Sequence, residues 1–309
     1  MPTAAVVVSW EGGAATERCV ASLLAQDVPL ADVVVVDNAS GSVERARLGA
    51  VLSGRDAVRL LLLDENRQFA GGLNAGAAAA FAAGADRVLC LNNDTVVAPD
   101  AVRLLGAALD ATPGAGIAGP RVVDLTHPTR VLSAGERHSL ALLCVPRTLL
   151  RYRRAAARRP YPVSGVMGCA MLLTRDCFEA VGGFAPEIEV YYEDVDFCLS
   201  ARAHGFRAVV EPRAVVSHEG LRGFAAGLTP WAAFLKARNP WLVVRRHGRP
   251  WTWPAFLATY VPMVASSAAL YALRGRAEVA GALARGALAG LRAATGQRVV
   301  PVGAPATRI

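Results

Sequence analysis

Short runs of apolar, largely β-branched residues recur along the first half of the chain, at 4–9 (AAVVVS), 31–36 (ADVVVV), 58–63 (VRLLLL) and 87–91 (RVLCL). Such continuous runs are the pattern of strands buried on both faces. Helical patterns separate them: 16–24, with Cys19, Val20, Leu23 and Leu24 on one face and Thr16 as a cap, an alanine-rich segment at 75–83, and an amphipathic one at 99–109. Strand and helix in this alternation predict an α/β fold, a mostly parallel sheet with helices on both faces. A small-residue strand follows at 115–123 and a glycine-broken one at 163–174, in which Gly165 and Gly168 let something approach the backbone.

Beyond these, 175–184 reads as a short helix stopped by glycine. The acidic stretch 191–197 (YYEDVDF) then opens a helix with Val195, Leu199 and Ala203 on one stripe and a stop at Gly205. Two short strands are expected at 208–210 and 214–216, the second delivering His218. The last part changes character: 250–273 holds 24 positions without charge, broken by Pro254 and Pro262, and 279–291 is an alanine- and leucine-rich helix with Arg285 and Arg292 on its polar side. The apolar stretch is long enough to span a bilayer. Its prolines and hydroxyls favour helices packed on the preceding domain and dipping into the inner leaflet over a true crossing, with a helical pair completing the soluble core as the close alternative. A boundary near residue 235 therefore separates a domain at 1–235 from a helical, amphipathic extension at 236–309.

Composition sharpens this picture. The 309 residues are 53% hydrophobic and carry a net charge of +8, with a pI near 9.6 and a positive mean hydropathy. An anionic partner follows, whether a phosphate-bearing ligand or an acidic membrane surface. Nucleic acid is discounted, because no recognised binding module accompanies the charge. Six cysteines are scattered without a C-x-x-C, which reads as buried reduced thiols of a cytoplasmic protein. The N-terminus opens directly into a strand without a basic leader, and a cytoplasmic location is expected.

Candidate chemistry collects at strand ends, where open α/β sheets bind ligands. Asp37-Asn38-Ala39-Ser40 ends the second run, and an Asx turn there is compatible with ligand contact. Gly71-Gly72 before the alanine-rich helix suits approach of backbone N–H groups to an anion, although it matches neither G-x-G-x-x-G nor a Walker loop. Asn92-Asn93-Asp94 ends the fourth run as an Asx-rich turn, the commoner use of such residues, or as oxygen ligands fit for Mg²⁺ or Mn²⁺. Glu193, Asp194 and Asp196 bunch three carboxylates in four positions at a helix start, where the macrodipole favours negative charge. His218, one of five histidines, suits Mn²⁺ or Zn²⁺, but a closed zinc site lacks Cys or His partners at zinc spacing. Six arginines crowd 147–159. Such a run is a solvated face or a phosphate- or lipid-binding cluster.

The motifs VVVSW, VVVDNAS, ENRQFAGGLNAG, LNNDT, GCAMLLTRDCFEAVGGF, YYEDVDFCLSARAHGF, VVSHEG and ARNPW stand in this order. As an ordered set, from about residue 4 to about residue 241, they resemble the family 2 glycosyltransferases, inverting enzymes with the GT-A fold. Within the family the likeness is to bacterial rhamnosyltransferase-like members that build cell-envelope glycans on lipid carriers. The resemblance implies a nucleotide-binding sheet, a dTDP- or UDP-sugar donor, a glycan or polyprenyl-linked acceptor and a divalent cation, Mn²⁺ or Mg²⁺. It also implies a peripheral position at the cytoplasmic face of the cell membrane. Asp37 would bind the pyrimidine base with Ser9 beside it, and Asn66, Gly71, Gly72 and Asn74 match the donor loop. Asn92, Asn93 and Asp94 match the D-x-D element, with Asp94 as metal ligand and Asn92 nearer the nucleotide. His218 matches a second metal ligand and Asp194 the base that deprotonates the acceptor hydroxyl. Glu193 and Asp196 would shape the acceptor side. Gln68 stands where that loop has glycine and Ser200 where arginine is common, with Arg202 as the substitute contact.

Two other classes compete. A sugar-phosphate nucleotidyltransferase needs a cationic glycine-rich N-terminal loop, and Ser9-Trp10-Glu11-Gly12-Gly13 carries no cation. A non-catalytic glycan- or membrane-binding relative would have no use for Asp94, Asp194 and His218 together.

Overall fold

The computed structural model describes residues 1–143, 157–219 and 228–297. Ten strands form one sheet in the order β3-β2-β1-β4-β9-β6-β10-β5, with β7 (Val131–Ser133) on β6 and β8 (Tyr161–Val163) on β10. Strands β1 (Thr3–Ser9), β2 (Asp32–Asp37), β3 (Val58–Leu62) and β4 (Arg87–Asn92) are parallel to one another. The valines alternate between faces: Val6, Val8, Val34 and Val36 enter one core, while Val7, Val33 and Val35 enter the other. Helices on both faces explain why these strands read as uninterrupted apolar runs. The second half is mixed. Strand β9 (Ala170–Thr174) runs antiparallel to both β4 and β6 (Ala115–Asp124), and β10 (Arg207–His218) is parallel to β6 and antiparallel to β5 (Thr95–Val97). The parallel pairing expected for most of the sheet is thus confined to β3-β2-β1-β4 and the β6–β10 pair.

Helix α1 (Ala14–Leu24) and α4 (Ala101–Asp110) cover one face, and α3 (Gln68–Ala82), α5 (Arg175–Val181) and α6 (Glu193–Ala203) the other. Helix α2 (Ser42–Leu52) follows β2. Phe178, Phe184 and Phe197 join α5 and α6, with Phe184 and Phe197 stacked at 4.6 Å. The two short strands expected around 208–216 are one strand, β10, interrupted by a register shift between Glu211 and Val215. Buried Glu211 fills that irregularity by accepting from the backbone N–H and the guanidinium of Arg213.

Helix α3 begins seven residues earlier than its alanine-rich core suggested. Gly71 and Gly72 therefore lie inside its first turns rather than in a loop. A Cβ at Gly72 would lie 2.8 Å from Val8, and one at Gly76 would collide with Val6. The glycines let the helix lie directly on β1, a packing reason for their spacing of four.

Helix α7 (Pro230–His247), α8 (Thr252–Leu273) and α9 (Ala277–Ala294) complete the chain. Helix α7 carries local start and stop signals: the Thr229 hydroxyl accepts from Ala232 N–H, Pro230 occupies the first turn, and Arg245, Arg246 and His247 crowd the last. The expected boundary at residue 235 falls inside it. Trp241, Leu242 and Val243 of α7 pack with Val195 and Leu199 of α6, Phe256 and Tyr260 of α8 and Ala293 of α9. Within α8 only Phe256 and Tyr260 are buried, and Leu257, Val261, Leu270 and Leu273 are exposed. Among the described residues it is the one helix long and apolar enough to cross a membrane. The five described cysteines are free and buried. Burial pushes the thiol of Cys90 up to about 12, as expected of inert core thiols. Of the arginine run, residues 147–156 lie outside the described residues, and Arg158 and Arg159 are exposed.

Candidate active site

The C-terminal ends of β1, β2 and β4 line one side of the site. Ser9 and Asp37 are register partners on adjacent strands, and both are completely buried. Ser9 Oγ lies 2.8 Å from Thr16 Oγ1, which in turn accepts from Asn93 Nδ2 at 3.0 Å. Thr16 is therefore not a cap; α1 starts two residues before it, and its hydroxyl ties β1 to the strand end at Asn93. These three side chains close over Gly12, where a Cβ would clash with all of them. Asp37 Oδ2 accepts from Arg45 Nε at 2.8 Å and from Ser40 N–H at 3.3 Å. Its Oδ1 is buried without a hydrogen-bond partner. An unsatisfied buried acceptor costs about 1–3 kcal/mol.

The neighbouring loop is built from amides. Asn66 Oδ1 accepts from Gln68 N–H and Asn38 Nδ2, while Asn38 Oδ1 accepts from Arg67 N–H. Gln68 has φ +56°, a left-handed conformation costing roughly 1–2 kcal/mol for a residue with a Cβ. That backbone requirement is the physical reason a glycine suits the position. Asn74 holds the backbone of Phe184 with both ends of its amide, at 2.8 Å each. Of the three residues expected as donor contacts, Asn74 thus ties α3 to Phe184 and Gly72 packs on Val8 of β1, while a Cβ at Gly71 would meet the Arg67 side chain.

The metal candidates meet across two strands. Antiparallel pairing of His218 with Thr95 sets β10 against β5, and Glu219 N–H donates to Asp94 O at 3.0 Å. His218 Nε2 lies 3.2 Å from Asp94 Oδ1 and 3.3 Å from Asn92 Nδ2. Burial opposes ionisation of Asp94, but the hydrogen bond and charge of His218 outweigh it and hold the carboxyl below the usual carboxylate range. Oxygen and imidazole ligands sit about 2.1 Å from a Mg²⁺-sized ion, so two adjacent octahedral ligands are about 3 Å apart. The Asp94–His218 spacing fits such an edge. Among the described residues no group of three or more Asp, Glu, His or Cys could hold a metal. A cation held by this pair would take its remaining ligands from water or a bound anion, as Mg²⁺ commonly does.

Asp194 meets the chain at Gly168, just before β9. Asp194 is 3% exposed; its Oδ2 accepts from Gly168 N–H at 3.0 Å and its Oδ1 from Val195 N–H at 2.8 Å. A Cβ on Gly168 would come within 2.9 Å of the Asp194 Cβ and 3.1 Å of Glu193 Oε1. What approaches the backbone at Gly168 is therefore the acidic stretch itself. The next residue, Cys169, accepts from Asn92 N–H at 3.1 Å, so Gly168-Cys169 bridges the two acidic centres. Burial, then the charges of Asp94 and Asp194, push the Cys169 thiol well up, which reports both carboxylates in one neighbourhood.

Two residues expected on the acceptor side are elsewhere. Asp196 is 1% exposed and its Oδ1 is held by Arg246 Nε and His247 Nε2 at 2.8 Å each; it binds α6 to the end of α7. Arg202 is exposed in the last turn of α6, eight residues or about 12 Å along the helix from Asp194. Glu193 is buried beside Gly168, and its charge, after burial, raises the Tyr191 hydroxyl to about 12.

The model of the family described as "Glycosyltransferase like family 2" matches residues 2–251, which includes every element of this site. The chain belongs to that family. An uncharacterized protein of Mycobacterium tuberculosis is 34% identical over 194 residues, covering 62% of this chain and 64% of that protein, so the likeness spans less than two thirds of the relative's length. The dTDP-rhamnosyl transferase of Shigella flexneri is 22% identical over 227 residues, 71% of this chain and 72% of that one. Among solved structures, the family 2 chain resembles a mannosyltransferase from Pyrobaculum calidifontis in complex with GDP-Man and Mn²⁺. The TM-score is 0.56 at 20% identity, over 94% of this chain and 86% of that one. The fold is that of GT-A glycosyltransferases.

Proposed function

We propose that this protein is an inverting glycosyltransferase that moves a sugar from a nucleoside diphosphate donor to a hydroxyl of a glycan or lipid-linked saccharide in polysaccharide synthesis. The observation that carries the reading is the convergence on Gly168-Cys169 of two acidic centres: Asp94 with His218 at strand ends, and the buried Asp194 at a helix start. The unsatisfied Asp37 Oδ1 supports a pyrimidine base as the donor's anchor, since a base N–H would complete it. A dTDP- or UDP-sugar suits that contact, and the Shigella relative supports dTDP-rhamnose among the donors to be tried. Asp94 and His218 would hold a divalent cation, which when bound neutralises charge on the leaving diphosphate. Asp194 accepts the proton of the attacking hydroxyl, and a base on the face opposite the leaving group gives inversion. A screen of dTDP-rhamnose and UDP-sugars against a polyprenyl-diphosphate-sugar acceptor, with and without Mn²⁺, should give Mn²⁺-dependent release of nucleoside diphosphate. Absence of release from every donor would remove the reading.

The partner surface follows from α8. Its exposed apolar residues lie between Arg245, Arg246 and Arg249 on one side and Arg274 and Arg276 on the other. Trp251, 68% exposed, stands at its start under Arg249 at 5.3 Å. Apolar side chains flanked by arginine and tryptophan suit the boundary of an anionic leaflet. A peripheral association predicts that alkaline carbonate extracts the protein from bacterial membranes; release by detergent alone would mean integral insertion.

A further inference from the structure

Resting on the reading of Asp194 as the base, we infer that Arg238 and Asn239 of α7 are positioning residues that hold Asp194 in its reactive place. The chain reaches α6 through an unusual path: Glu189, Tyr191 and Tyr192 have φ of +65°, +64° and +74°, and none is glycine. Residues with a Cβ stay in that region only where their surroundings fix them. Tyr192 immediately precedes α6, so these torsions set the direction in which Asp194 leaves the backbone.

The restraint comes from one short segment of α7. Asn239 is completely buried, and its Nδ2 donates to the carbonyls of Ile188, Val190 and Tyr191 at 2.8, 2.9 and 2.8 Å. Two N–H bonds shared among three carbonyls leave no freedom in the amide. Its Oδ1 accepts from Arg238 Nε at 2.9 Å, which fixes which end of the amide faces the loop. Arg238, 2% exposed, reaches Glu189 Oε1 at 2.7 Å and Glu187 O at 3.2 Å. Glu189 O accepts from Ala70 N–H of α3 at 2.9 Å, so the same loop also touches the donor side. Tyr191 is gripped by the ring of Trp231 at 6.0 Å and by Lys236 Nζ over its face at 4.6 Å. A carbonyl-directed amide is the one side chain of this size that donates to three oxygens without carrying charge.

The test compares wild type with Asn239→Ser, which keeps one donor, and Arg238→Lys, which keeps the charge but loses the planar fork. Turnover of the donor found active in the screen, its KM, and deuterium exchange at 187–194 are read together. Misplacement of the base by about 1 Å costs on the order of 100-fold. Both variants should therefore lower kcat by roughly 10- to 100-fold, leave the donor KM within about threefold, and speed exchange at 187–194. Asn239→Gln should restore neither, because the amide is displaced by one methylene. Faster exchange with unchanged kcat overturns the inference, as does a loss confined to thermal stability. Wild-type turnover with unaffected variants removes the inference alone. A wild type without turnover on any donor removes the activity reading on which it rests.

Discussion

Asp194→Asn should reduce sugar transfer by about 10²- to 10⁴-fold, the range contributed by a positioned general base, with nucleoside diphosphate affinity unchanged. The substitution is isosteric, and Ser9 and Asn93 bond to Thr16 and Asp37 to Arg45 and Ser40. It is not silent in the fold. Asp194 accepts from Gly168 N–H and Val195 N–H with separate oxygens, whereas an asparagine offers one oxygen and turns an NH₂ towards the other donor. A buried donor left unmet costs about 1–3 kcal/mol, so the melting temperature should also fall by several degrees. Assays well below the new midpoint, with nucleotide binding as the control, separate the two effects. Turnover within threefold of wild type in folded Asp194→Asn would take the proton-accepting role from this residue.

Asp94→Ala should abolish the Mn²⁺ response. In wild type, Mn²⁺ together with UDP or dTDP should raise the melting temperature beyond either alone, since ligands that bind only the native state stabilise it. Without Asp94, His218 and Asn92 still face each other at 3.3 Å, so the strand ends stay in place while the cation loses its anionic ligand. Charge neutralisation at a leaving diphosphate is worth several kcal/mol, and turnover should fall on the order of 10³-fold at 1.4 kcal/mol per decade. His218→Ala, which removes a neutral ligand and leaves the carboxylate, should be milder in both readouts. A Mn²⁺-induced shift in Asp94→Ala equal to that of wild type would show that the cation is held elsewhere.

The corrections to the sequence reading share one cause. Asp196 and Asp194 are two residues apart and chemically alike, yet one accepts from Gly168 of the sheet region and the other from Arg246 and His247 of α7. Their separation follows from the helical turn between them combined with the position of α7, and only the first of these is written locally. Arg202 shows the same limit: helical rise carries it away from Asp194 once α6 is continuous. Gly72 was legible as a site of close approach, but whether a ligand or Val8 makes that approach depends on how α3 lies on β1.

By itself the sequence determined the buried parallel strands, because valine runs uninterrupted by polar residues have no other stable placement than a sheet covered on both faces. It also determined that Asp37, Asn93 and Asp94 stand at strand ends, since those runs stop there. The order of motifs carried the family. The tertiary structure alone decided the rest. The antiparallel register of β10 on β5 sets His218 3.2 Å from Asp94. The entry of β9 puts Gly168 under Asp194. Asn239, read only as part of ARNPW, holds the backbone before Asp194 through three carbonyls. Contacts between residues far apart in the chain leave no periodic trace in either segment, so they became visible only when the segments met.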